Sequence, residues 1–172
     1  MTVRNRQKKM YRMVGKVLFV LYILFLIYFL VFSERAGRQP GSMDYNYNLL
    51  PFKEIQRFWQ YRFQLGFKAV FTNLVGNILI FIPFGFFLPL ASKFRNLATT
   101  VFMSFGLSLL VEMIQFMTRV GSFDVDDLIL NTLGGLIGYY LFTRFHRASL
   151  RRYRRARQKD EYEEKEDQQE TT

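Results

Sequence analysis

The sequence predicts an all-α, polytopic membrane protein with four transmembrane helices and an interfacial amphipathic helix in its first outer loop. Three observations carry this. Half of the 172 residues are apolar, yet mean hydropathy is near zero, because the apolar residues are gathered into four long blocks between very polar stretches. The net charge of +10 sits in the segments flanking those blocks. The few polar residues inside the blocks recur at helical spacing on shared faces. A hydrocarbon layer of ~30 Å needs about 20 apolar helical residues to cross it. Spans are accordingly expected at about 17–33, 71–91, 97–118 and 127–143.

Residues 1–16 are basic and contain no acid. The apolar run from Val17 to Phe32 follows. Its length and the absence of a small-x-small site after it favour a retained anchor over a cleaved signal peptide. Gly37, Pro40 and Gly41 then stop the helix. In residues 34–70, Ile55, Phe58, Trp59 and Phe63 alternate loosely with Lys53, Arg57 and Arg62. That composition suits a helix in the headgroup layer, though an exposed loop helix would read the same way. In the second block Asn73 and Asn77 share a face, and Pro83 removes a backbone bond to Leu79, so a kink or break is expected near mid-helix. A short basic turn at 92–96 leads into the third block, which carries Glu112 and Gln115 near its end.

Arg119, Asp124, Asp126 and Asp127 occupy the next short connection, and Asn131, Gly134 and Gly138 line the fourth block. From residue 144 the chain is basic, then acidic and low in complexity, and is expected to be a disordered cytoplasmic tail. With the N-terminus inside, cytoplasmic segments hold 17 of the Lys and Arg residues and outer segments 7. Both termini are therefore expected in the cytoplasm. The polybasic flanks point to anionic lipid headgroups as partners, not to nucleic acid.

Helical rise places Asn73, Asn77, Glu112, Gln115 and Asn131 within roughly 10 Å of the outer face. An unpaired amide or carboxylate in hydrocarbon costs several kcal/mol, so these groups must pair or line a wet cavity. Asn73, Asn77, Glu112, Gln115, Arg119, Asp124, Asp127 and Asn131 are the candidate binding residues. Glu112 and Asp127 are the candidates for acid–base chemistry, and Asp124, Asp126 and Asp127 for a divalent cation. Each has a plainer reading: Glu112 can fix helix register, Asp124 can cap the fourth helix, and the glycines can serve close packing. The chain has no cysteine, which excludes disulfides and thiol catalysis. Its single histidine, His146, lies at the opposite end, which excludes a Ser-His-Asp relay at this site.

In order along the chain, Asn48-Leu49-Leu50-Pro51-Phe52, Asn73 with Gly76 and Asn77, and Pro83-Phe84-Gly85 are followed by Glu112 with Gln115. Phe123-Asp124, Asp127, Asn131, Gly134 and Gly138 complete the series. This series resembles the VanZ-like family of bacterial integral membrane proteins over residues 17–143. Ser122 departs from the pattern, which often has Arg just ahead of the Phe-Asp pair. The resemblance implies a bacterial cell-membrane protein linked to teicoplanin-type glycopeptide resistance. It leaves two main readings open. One is a non-enzymatic protein binding an envelope lipid, a wall-precursor headgroup or the glycopeptide. The other is a membrane enzyme acting on a lipid-linked phosphate, with Glu112 as acid or base and the aspartates holding a divalent cation. A transporter ranks below both, since four spans without an inverted repeat are a poor match to that class.

Overall fold

A computed structural model describes residues 3–36, 47–61, 63, 67–93, 95–118 and 122–170. Among them the chain forms five helices and two short strands: α1 (Val3–Ala36), β1 (Tyr47–Asn48), α2 (Lys53–Gln60), α3 (Phe67–Ala91), α4 (Leu97–Thr118), β2 (Phe123–Asp124) and α5 (Val125–Glu170). The fold is thus mostly helical. Leu74–Ala91 and Leu97–Thr118 are long and apolar enough to cross a membrane, and Met13–Phe29 is a shorter apolar helix.

The packing follows from where bulk and smallness fall in the sequence. α5 packs most extensively on α3 and next on α4, while α1 packs on α3. Along α3 and α5 the seam is made by glycine. A Cβ added at Gly85 would overlap the backbone of Gly135, and one at Gly138 would overlap the Ile82 carbonyl. Asn77 meets Asp127 at one end of this seam, and Phe86 meets Phe142 further along. The two helices therefore run parallel. Gly135 and Asn131 of α5 instead meet Ser104 and Ser108 of α4, in reversed order, so that pair is antiparallel. α1 lies antiparallel to α3. Gly15 faces Leu90, the Phe19 ring lies tilted against Phe84 with centroids 5.7 Å apart, and the Tyr22 hydroxyl donates to the Ile80 carbonyl at 2.8 Å. Tyr22, Leu26, Phe81 and Phe84 form the apolar core of that contact.

Three expectations need amendment. Of the kink or break expected at Pro83, there is no break: α3 runs through Pro83 and Pro89 as one helix. Packed neighbours let a helix tolerate a missing backbone bond. The tail beyond residue 143 was expected to be disordered, but α5 continues to Glu170. Arg, Ala, Glu, Gln and Lys dominate that stretch, and no Gly or Pro interrupts it. Finally, the all-α class holds but for one pairing: β1 and β2 form a two-stranded parallel bridge, with Tyr47 opposite Phe123 and Asn48 opposite Asp124.

Candidate functional site

The parallel run of α3 and α5, with α4 reversed, brings the start of α3, the end of α4 and the start of α5 to one end of the bundle. α2 and the β1–β2 bridge are tied to the same end. The ties are made by polar side chains. Asp124 precedes α5 and caps it: its Oδ1 accepts from the Asp126 backbone N–H at 2.9 Å. The same oxygen accepts from Asn48 Nδ2 at 3.0 Å, so one carboxylate joins the helix start to β1. Asn48 Oδ1 in turn accepts the Leu50 N–H at 3.3 Å and turns the chain toward Pro51 and Phe52.

Asp126 is the firmest of these ties. Its carboxylate accepts backbone N–H groups from Phe52, from Glu54 at 2.8 Å and from Ile55 at 3.1 Å. It therefore caps α2 from a helix more than seventy residues away in the chain, satisfying donors that a helix start leaves open. Phe52 takes a left-handed conformation, φ 66°, to present its N–H. That conformation costs a bulky residue about 1–3 kcal/mol, which the anchored carboxylate offsets. Asp126 is 1% exposed, and its role is architectural.

Glu112 on α4 is 2% exposed, and its Oε2 accepts the Asp124 backbone N–H at 2.9 Å. Gln115, one turn further along α4, is also buried. Asn77 donates its amide to Asp127 across the α3–α5 seam. Asn131 donates to the Ser108 hydroxyl at 2.9 Å, while its buried Oδ1 accepts no hydrogen bond among the described residues. Of the predicted site residues, Asn77, Glu112, Gln115, Asp124, Asp127 and Asn131 are thus gathered at or just below one end of the bundle. The side chain of Asn73 and all of Arg119 lie outside the described residues. The three aspartates proposed for a cation do not converge. Asp124 turns to Asn48, Asp126 to α2 and Asp127 to Asn77. Among the described residues no three Asp, Glu, His or Cys side chains are grouped to hold a metal ion.

A polar cavity of about 400 Å³ opens at this end. Gln115, Asp124 and Asp127 line it from the bundle, Asn48 from the strand bridge, and Lys53 and Arg57 from α2. Tyr47 and Phe58 add aromatic faces. Arg57 is held by Glu54 at 2.7 Å and sits over the Phe58 ring at 5.3 Å. Glu54 and Asp126 line it as well, so the walls offer four carboxylates, amide groups and two cations, of which Arg57 lies over an aromatic ring. This set suits a hydroxyl- or amide-bearing group, with Lys53 and Arg57 as the donors for a phosphate. Glu112 and Asn131 are not in the wall; they lie beneath it.

Sequence reasoning did not anticipate three features. Lys53 and Arg57 read only as interfacial charges, since nothing local shows that α2 folds back over the aspartates. Asn48 is a motif residue whose partner is distant. Thr100, Ser104 and Ser108 are fully buried on α4 at four-residue spacing with Glu112. That period was available in the sequence and marks a small, polar packing face. The Thr100 and Ser104 hydroxyls bond to carbonyls one turn back, Asn96 at 3.1 Å and Thr100 at 2.8 Å.

Two apolar helices long enough to span a bilayer, in a bundle with a polar cavity at one end, suit a helical membrane protein. The particular kind follows from comparison. The VanZ/LLP1 family model matches residues 19–146, and the chain belongs to that family. Protein VanZ of Enterococcus faecium is 38% identical over 72 residues, which cover 42% of this chain and 45% of that relative. The aligned part is therefore less than half of the relative's length. No solved structure matches.

Proposed function

We propose that this VanZ-family protein is a multi-pass protein of the bacterial cell membrane with four spans and both termini in the cytoplasm. Its polar cavity faces outward and binds the headgroup of an envelope lipid or lipid-linked wall precursor. Occupancy alters the access of teicoplanin-type glycopeptides to their targets. The observation that carries this reading is the cavity itself. It is walled by Asp124, Asp127, Gln115, Lys53 and Arg57 at the end of the bundle where α3 and α5 begin. The alternation of helix direction along α1, α3, α4 and α5 suits a chain that crosses the membrane with each helix, and the excess of Lys and Arg in the other segments supports the orientation.

Binding is better supported than catalysis. Glu112, the residue an enzymatic reading needs, is buried beneath the cavity and engaged with the Asp124 N–H. Glu112→Gln keeps an oxygen that can accept that bond, and resistance is expected to survive it in large part. Lys53→Gln and Asp127→Asn alter the wall and are expected to return cells to glycopeptide susceptibility at unchanged membrane abundance. Full resistance from both wall variants would sink the reading.

A further inference from the structure

Beside the polar cavity lies an apolar groove of about 330 Å³, lined by Tyr47, Leu49, Met113, Phe116, Met117 and Phe123. The two spaces meet at Tyr47, which lines both. The strand bridge sorts their character. Side chains alternate along a strand, so Tyr47 and Asn48 fall on opposite faces, and Leu49, just past the strand, lines the groove with Tyr47. Tyr47 pairs with Phe123 and Asn48 with Asp124, which puts apolar residues toward the groove and polar ones toward the cavity. Met113, Phe116 and Met117 complete the groove from the end of α4. Met113 and Met117 are half or more exposed, and unbranched methionine adapts to chains of irregular shape.

A polar cavity and an apolar groove meeting at one residue match a molecule with the same two parts. We propose that the groove holds the hydrocarbon chain of the amphiphile whose headgroup fills the polar cavity. The ligand is then a whole membrane lipid lying across the β1–β2 bridge, selected by chain as well as by head. This rests on the headgroup reading above. A second copy of the chain could cover the groove, but its apolar surface would leave the adjoining polar walls unanswered.

The test is lipid retention. The full chain is reconstituted in vesicles of phosphatidylethanolamine and phosphatidylglycerol and re-extracted in mild detergent. Bound lipid is then counted by native mass spectrometry. Wild type is expected to carry lipid. Leu49→Trp, which fills the groove, and Met117→Gln, which makes its lip polar, are expected to lower the retained fraction about tenfold, since the loss of a few buried methylene contacts suffices for that. Met117 is 74% exposed, so its variant leaves the helix packing intact, and thermal unfolding in the same detergent verifies folding. Leu110→Gln, exposed on α4 but outside the groove, is expected to retain lipid. If Leu49→Trp and Met117→Gln retain lipid like wild type while Lys53→Gln loses it, the chain proposal falls and the headgroup reading stands. If wild type retains none, or no variant in either space matters, both fall. A dimer that the groove variants dissociate, with lipid unchanged, would overturn the proposal in favour of an interface between copies.

Discussion

Asp126 shows how much one residue can carry in this protein. Its carboxylate takes three backbone N–H groups, holds Phe52 in a left-handed conformation and so fixes α2 against the start of α5. Hydrogen bonds to a buried charge are worth more than neutral ones, and a partner left unmatched costs its full desolvation. Asp126→Ala is expected to destabilise the protein by about 2–3 kcal/mol. The loss should be local, read as faster hydrogen exchange at the Glu54 and Ile55 amides with α3 and α4 unchanged. Unaltered exchange at those amides would show that α2 is held by other means. Asn131 is the contrasting case: among the described residues its amide is only half satisfied, so those contacts add little net stability for the polarity it buries.

At the scale of elements, the decisive contact is the α3–α5 seam. Gly85, Gly134 and Gly138 let the helices approach until carbonyl groups lie where a side chain would stand. Without a hydrophobic drive between helices in lipid, close packing of small residues supplies much of the association. Gly85→Ala is expected to lower stability by roughly 1–3 kcal/mol through overpacking, since backbone on the facing helix cannot yield. Gly76→Ala is the control. A Cβ there meets nothing within 4 Å, and alanine favours helix, so no loss is expected. Thermal unfolding of the two variants in detergent checks the pair. Equal stability would mean that the seam relaxes more freely than its geometry allows.

For the whole molecule, the alternating helices and the charge asymmetry converge on one prediction. The polar end of the bundle is expected to face out and the basic stretch of α5 after residue 143 to face in. The chain lacks cysteine, so single replacements are clean reporters. Cysteine at Ser122, beside the cavity, is expected to react with a membrane-impermeant thiol reagent in intact cells. Cysteine at Ser149, exposed on α5, is expected to react only after lysis. The reverse pattern would turn the site to the cytoplasm and remove its link to an outer-envelope ligand.

Helix type, the apolar character of residues 74–91 and 97–118, and the stripes bearing Glu112, Gln115 and Asn131 were all determined by the sequence alone. They depend on local periodicity and on the cost of polar groups in apolar surroundings, both of which act within a few turns of one helix. The capping role open to Asp124 was legible for the same reason. The extension of α5 to Glu170 follows helix propensity, which the charge run that suggests disorder masks in the sequence. Tertiary structure alone decided what each carboxylate serves. Asp124, Asp126 and Asp127 are near neighbours in sequence, yet their partners are Asn48, the start of α2 and Asn77. Those partners lie fifty to nearly eighty residues away, and no local rule reaches that far. Whether a buried acid becomes a cap, a latch or a cavity wall depends on which donor folding carries to it.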